Sequence, residues 1–146
     1  MRIVVDTNIV FSAILNADSK LGKILLFSKK GINFYSTRQL LSEIEEHKQK
    51  IKKISNYSEE ELHRVIQLLT QKIRFIDVKL ISKDAFQYAE NLTADVDIDD
   101  TEFIALTEHL KGQFWSGDKI LIQGLLKKKW NKFITTNQLF EKISSK

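Results

Sequence analysis

The sequence predicts an α/β fold in which a parallel sheet is covered by helices on both faces. Short apolar runs typical of strands alternate with segments whose apolar residues recur at helical spacing. Because parallel strands need crossover connections, this alternation favours a layered architecture with right-handed crossovers. The predicted strands cover residues 3–5, 32–35, 73–78, 113–115 and 133–134.

Helices are predicted between these strands. Two short helices fit the apolar spacing between Val10 and Phe27, and a third is expected to open at Ser36-Thr37. Ser58 and Glu61 have the spacing of a capping box, which indicates a helix N-terminus. Further helices are expected at residues 85–92, 103–110, 120–126 and 138–143.

Length and composition limit the class of protein. A chain of 146 residues is of single-domain size, and its net charge of +4 favours a polyanionic partner. It has no cysteine, which excludes disulfides, thiol catalysis and thiolate metal sites. Neither a secretory leader nor an apolar run of membrane-spanning length is apparent, so we expect a cytoplasmic protein without a membrane partner.

Asp6 directly follows the first apolar run and precedes Thr7 and Asn8. Ligands of open α/β sheets bind at the carboxyl ends of the strands, because the chain divides there into loops and helix N-termini. This position favours a functional role for Asp6. Capping of the next helix by Asp6 or Thr7 is the alternative interpretation, since both residue types cap helices well.

Three further carboxylates have a similar context: Glu43 on a helix, Asp100 at a helix start and Asp118 after the fourth strand. Convergent carboxylates raise one another's pKa values and destabilise a fold unless a cation compensates them. Oxygen ligands without Cys or a suitably spaced His pair are typical of Mg²⁺ or Mn²⁺ sites. Such an ion is suited to the hydrolysis of a phosphodiester.

Each of these acids also has a purely structural interpretation. Glu43 lies in an acidic segment that fits an ordinary solvated helix face. Asp97, Asp99 and Asp100 fit the role of caps or first-turn acids stabilised by the helix dipole. Asp118 fits a turn residue.

Four segments of the chain carry these acids: 6–13 (DTNIVFSA), 42–47 (SEIEEH), 97–106 (DIDDTEFIAL) and 115–119 (WSGDK). Together they resemble the PIN-domain nucleases, in that family's motif order and across nearly the whole chain. The resemblance implies one PIN-like domain over residues 1–146, with a Rossmann-like α/β/α sandwich around a mostly parallel five-stranded sheet. It also implies metal-dependent cleavage of RNA.

The resemblance further implies the site residues. Asp6, Glu43, Asp100 and Asp118 match the four acids of the family, and would hold Mg²⁺ or Mn²⁺ and activate water. Asn8 and Ser116 match polar residues that support these acids.

One position departs from the family pattern. Many relatives carry an Asp two residues after the fourth acid, where this chain has Ile120. A second metal position is therefore expected to be weak or absent, unless Asp97 or Asp99 substitutes, and the spacing does not choose between them.

The primary hypothesis is therefore a Mg²⁺- or Mn²⁺-dependent endoribonuclease. Many small members of the family are the toxins of toxin–antitoxin pairs and are often dimeric, so a cognate antitoxin protein and a homodimer are the expected partners. Lys127, Lys128 and Lys129 are candidates to hold the RNA backbone by charge, with a solvated helix end as the alternative.

Two other hypotheses remain open. The first is a catalytically silent PIN scaffold that binds RNA or a protein, which the retention of all four acids disfavours. The second is an enzyme of the aspartyl-phosphate type, which is disfavoured because no second Asp stands two positions after Asp6.

Overall fold

A five-stranded, all-parallel sheet forms the centre of the protein, seen in a computed structural model that describes residues 1–144. The strand order is β3-β2-β1-β4-β5, so the first strand of the chain is the middle strand. The strands are β1 (Arg2–Val5), β2 (Asn33–Thr37), β3 (Ile73–Ile76), β4 (Gln113–Trp115) and β5 (Phe133–Ile134). The predicted parallel α/β architecture is therefore confirmed.

Nine α-helices lie along residues 1–144. They are α1 (Thr7–Leu15), α2 (Lys20–Phe27), α3 (Gln39–Glu46), α4 (Lys48–Ser55), α5 (Glu59–Thr70), α6 (Lys83–Thr93), α7 (Thr101–Leu110), α8 (Lys119–Lys127) and α9 (Thr136–Ser144). Short 3-10 turns cover Val78–Leu80 and Ile98–Asp100. No helix in this described part of the chain is long and apolar enough to cross a membrane.

The helices form two layers. Because right-handed crossovers reverse face when the strand order reverses, α1 to α5 cover one face, and α6 to α8 cover the other. Helix α9 packs against α2 and so joins the first layer. Ile3, Val4 and Val5 are all fully buried between the layers, as their uninterrupted apolar run predicted.

The second strand corrects the sequence-based prediction. Ser36 and Thr37 were expected to open a helix, but both belong to β2 and are fully buried. Pairing of Thr37 with Ile76 extends the strand, and the Ser36 hydroxyl donates to the carbonyl oxygen of Val5 at 3.0 Å. Helix α3 therefore begins only at Gln39.

The end of the third strand also differs from the prediction. Strand β3 ends at Ile76, and Val78 lies in the 3-10 turn that follows Asp77 rather than in the strand. The Asp77 side chain accepts from the backbone of Lys79 at 2.9 Å, which favours the turn over continued pairing. The capping box of Ser58 and Glu61 is present as predicted and starts α5.

Candidate active site

The carboxyl edge of the two middle strands brings together residues far apart in the sequence. Strands β1 and β4 are neighbours, with Val5 paired to Trp115. The backbone N–H of Asp6 donates to the carbonyl oxygen of Trp115 at 3.1 Å, which continues the ladder for one residue beyond β1. Asp6 and Ser116 therefore leave the sheet side by side.

Ser116 joins two of the predicted acids. Its hydroxyl donates to Oδ2 of Asp6 at 2.6 Å and accepts from the backbone N–H of Asp118 at 3.1 Å. Asp118 in turn caps α8, because its Oδ1 accepts from the backbone N–H groups of Ile120 and Leu121. Asp118 was alternatively interpreted as a turn residue; the structure makes it the cap of α8, and one of its carboxylate oxygens nevertheless lies close to those of Asp97 and Asp100.

The turn before α7 supplies the other acids. One carboxylate oxygen each of Asp97, Asp100 and Asp118 lies within 4.8 Å of the others. Asp97 also accepts from the backbone N–H of Asp99 at 3.0 Å, which shapes the 3-10 turn. The sequence left Asp97 and Asp99 as equal alternatives, and the geometry places Asp97 in this acidic cluster. Asp99 is exposed and lies outside it.

Glu43 approaches the same edge from α3. Its Oε1 accepts from the hydroxyl of Thr7 at 2.8 Å and from Nε2 of Gln39 at 3.2 Å. The side chain is half-buried and lies close enough to Asp6 to raise the pKa of that carboxyl by its charge. Glu43 is therefore not a free residue on a solvated helix face, although it is not one of the three clustered acids.

Gln39 is a site residue that sequence reasoning missed. Besides its bond to Glu43, its Nε2 donates to the backbone carbonyl of Asp99 at 2.5 Å. One amide group thus ties α3 to the turn that carries Asp97 and Asp100. The only sequence signal was a Gln four residues before Glu43, which places both side chains on one helix face.

The electrostatics of the edge show the cost of this convergence. Burial, opposed by the Ser116 hydrogen bond and reinforced by the charges of Glu43 and Asp118, raises the pKa of Asp6 to about 6. Burial followed by the charges of Asp6 and Asp97 raises the pKa of Asp100 to about 8. Unless a cation neutralises the cluster, Asp100 therefore keeps its proton near neutral pH, whereas Asp6 gains one only as the pH falls through about 6.

The remaining predicted residues are arranged differently. The Asn8 side chain is exposed, and its backbone, not its amide group, favours the charged form of Asp6. Lys127 is the last residue of α8, and Lys128 and Lys129 follow it; the nine residues of this helix extend about 13 Å from Asp118. They therefore leave the chain at the end of α8 opposite to Asp118.

Lys128 has a structural partner. Its Nζ donates to the carbonyl oxygen of Leu92 at 2.8 Å and pairs with Asp95, at the C-terminal end of α6. The lysine thus provides a donor and a positive charge at the C-terminal end of α6. His47, which stood near Glu43 in sequence, bonds to the backbone carbonyl of Glu43 and packs its ring against Phe11.

Comparison with known families identifies the family to which this chain belongs. The sequence matches the profile of the PIN domain over residues 4–139. The chain belongs to the PIN-domain family. A comparison with curated proteins found no match. The PIN domain is a nuclease-type fold, and the acidic cluster of Asp97, Asp100 and Asp118 fits the divalent-metal site that such enzymes generally use.

Proposed function

We propose that this PIN domain is a metal-dependent endoribonuclease that hydrolyses RNA phosphodiester bonds. The observation that carries the proposal is the convergence of Asp97, Asp100 and Asp118 within 4.8 Å, with buried Asp6 beside them. A fold gains no stability from such a cluster in the absence of a cation, because each buried charge raises the cost of the next. A bound metal ion would offset this cost by neutralising the carboxylates.

The donor set fits a hard divalent cation. All the donors are carboxylate oxygens, which suit Mg²⁺ or Mn²⁺. Asp97, Asp100 and Asp118 would hold the ion together with Asp6, and Glu43 would complete the site from α3. An ion of this kind polarises the phosphodiester and increases the acidity of water. Ile120, which is 77% exposed, offers no ligand for a second ion.

The surrounding side chains orient these acids. The Ser116 hydroxyl fixes Oδ2 of Asp6, and the Thr7 hydroxyl fixes Oε1 of Glu43. Each carboxylate thus keeps one oxygen engaged by the protein, which restrains the direction of the other. Asp100, whose pKa is raised by burial and by the charge of Asp6, is the group suited to hold a proton at its carboxyl when no cation is bound.

Replacement of single acids tests this mechanism. Asp100→Asn and Asp118→Asn should each lower RNA cleavage by orders of magnitude, because each removes a metal ligand while keeping the side-chain size. Asp84→Asn, a change of equal charge in the first turn of α6, is the matched control and should cleave like wild type. The assay follows structured and single-stranded RNAs with Mn²⁺ and with EDTA.

The outcome of that assay separates two functions. Cleavage that persists in EDTA, or equal cleavage by wild type and Asp100→Asn, contradicts the metal-dependent mechanism. A folded, metal-loaded protein that cleaves no RNA would instead support the second candidate, a silent PIN scaffold that binds RNA or a protein.

The cellular role that we propose is the toxin of a toxin–antitoxin pair, acting in the cytoplasm as a homodimer with a cognate antitoxin protein. The family and the single-domain size of the chain support this role. Expression of the wild type should arrest growth, and expression of Asp100→Asn should not. A short gene next to this one should encode a protein that binds the chain and relieves the arrest, and sedimentation should give twice the 17.0 kDa chain mass. Normal growth during expression of active enzyme contradicts the toxin role.

A further inference from the structure

Charge is divided between the two edges of the sheet. Four connections lead into the amino ends of β2, β3, β4 and β5, namely residues 28–32, 71–72, 111–112 and 128–132, and none contains an acidic residue. Together they carry Lys29, Lys30, Lys72, Lys111, Lys128, Lys129 and Lys132. The acidic cluster lies at the opposite, carboxyl edge. The connections at the amino end of the sheet are therefore basic, and Asp95 and Glu108 neutralise two of their lysines, Lys128 and Lys132.

One part of the basic end is concave. The connections before β2 and β3 enclose a depression of about 340 Å³, which we call the basic groove, lined by Lys30, Lys72 and Arg74 around Asn33. The Lys72 ammonium group donates to the carbonyl oxygen of Ser28 at 3.2 Å and so holds the two walls together. No acidic residue lines the groove.

Three cations of the groove differ from several other lysines of the protein because no carboxylate among the described residues pairs with them. Outside the groove, Lys48 and Lys52 both pair with Glu59, Lys128 pairs with Asp95, and Lys132 pairs with Glu108. Within residues 1–144, Lys30, Lys72 and Arg74 form no ion pair, and all three are exposed. An uncompensated, concave basic surface attracts a polyanion through several charges at once.

The chemistry of the lining indicates which part of a polyanion would bind. The groove offers ammonium, guanidinium and amide donors, which suit phosphate oxygens. Its one aromatic residue, Phe34, is 1% exposed and belongs to the core, so it presents no face for base stacking. We propose that the basic groove binds the sugar–phosphate backbone of the RNA substrate, independently of sequence and away from the cleaved bond.

The dimensions of the sheet give this proposal a distinctive consequence. The groove lies at the amino end of β2, and the acidic edge lies beyond its carboxyl end. Five residues of strand separate the two by about 13 Å, and the path over the surface is longer. A short RNA at the acidic edge does not reach the groove, whereas a longer one does. The identity of the polyanion as RNA rests on the proposed nuclease function.

Binding measurements with RNAs of two lengths test the groove. The Asp100→Asn background is used so that the RNA is not cleaved during the titration. This protein is titrated in Mg²⁺ with labelled single-stranded RNAs of about 4 and about 20 nucleotides. Changing Lys30, Lys72 and Arg74 together to Gln should weaken binding of the long RNA. It should also reduce the slope of log K against log salt by about 2, since each single-strand phosphate contact contributes about 0.7. Binding of the short RNA should stay unchanged.

A matched variant controls for total charge. Lys23, Lys50 and Lys53 are also exposed, and changing all three to Gln removes the same charge elsewhere. This control should keep the wild-type salt slope for both RNAs. An equal loss in the control, an equal loss for the short RNA, or an unchanged slope in the groove variant would overturn the proposal.

The same measurements separate the groove from the nuclease function. If binding through the groove depends on RNA length but the wild type cleaves no RNA, the groove proposal is supported and the nuclease proposal is contradicted. If the wild type cleaves RNA with metal but the groove variant has the same salt slope as wild type, the nuclease proposal is supported and the groove proposal is contradicted. Circular dichroism and thermal unfolding confirm that both triple variants are folded.

Discussion

The energetic cost of assembling the acidic edge can be measured at Asp6. Its side chain is 3% exposed, and its pKa is raised from 3.8 to about 6, first by burial and then by the charges of Glu43 and Asp118. Asp6→Asn removes the charge but keeps the size and an oxygen that accepts the Ser116 hydroxyl. In metal-free protein, this change should therefore stabilise the fold at alkaline pH.

The magnitude follows from the pKa difference. A shift of about 2 pKa units between the unfolded and folded states corresponds to about 3 kcal/mol. Because the folded-state pKa is raised, the folded protein holds the proton more tightly than the unfolded chain. The stability that Asp6 gains from this tighter proton binding is complete below pH 3.8 and is lost as the pH rises through about 6. In EDTA, the free energy of unfolding of Asp6→Asn should thus exceed that of wild type by about 3 kcal/mol at pH ~8, and by less than about 1 kcal/mol at pH ~4.

Urea unfolding at these two pH values, with EDTA and with Mn²⁺, measures the effect. Added Mn²⁺ should reverse the order, because wild type gains binding free energy from a site that the variant has weakened. The urea m-values should match, so that midpoints compare directly. Lower stability of Asp6→Asn at alkaline pH in EDTA, or a difference that does not change with pH, would refute this account of the edge.

Three further changes test other parts of the structure. Gln39→Leu should lower metal affinity by about 10- to 100-fold, because Glu43 loses an orienting donor; an unchanged metal titration would contradict this. Ser58→Ala should cost about 1 kcal/mol of unfolding free energy through the lost capping box, with cleavage unaffected, and a loss of cleavage would show that α5 serves the site. Gly124→Ala should cost about 1 to 3 kcal/mol, because its Cβ would lie 2.7 Å from Cγ1 of Val96. Combining Gly124→Ala with Val96→Ala should recover most of that loss in a double-mutant cycle, whereas strictly additive losses would exclude the contact.

Local signals explain why much of the fold was predictable from sequence. The apolar run 3–5 and its polar end specify a buried central strand, and the capping box specifies the start of α5. A shared edge for Asp6 and Asp118 followed from a general rule, since the carboxyl ends of parallel strands lie at one edge of the sheet; the structure adds that their strands are neighbours. Each of these predictions depends on a pattern within a few residues or on a general rule of chain connection.

The parts that were not predictable depend on contacts between distant residues. Gln39 reaches Asp99 across 60 positions, so no local pattern marks it as a site residue. The choice between Asp97 and Asp99 depends on the backbone of one 3-10 turn, which directs one side chain to the cluster and leaves the other exposed. Ser36 and Thr37 have the composition of a helix start, and pairing with β3 overrides it.

The middle position of β1 also determines when the acidic edge can form during synthesis. Asp6 and its hydroxyl partner Ser116 are separated by 110 residues, and the strand that brings Ser116 into place is the fourth of five. At roughly 5 to 20 residues per second, a ribosome needs about 5 to 20 s between the two. Pairing of strands that lie this far apart in the sequence, as β1 and β4 do, is also slow. A chain that terminates before Gln113 contains Asp6, Glu43 and Asp100 but lacks the strand that brings Ser116 and Asp118 to them. Translation products that end before β4 therefore cannot assemble the edge.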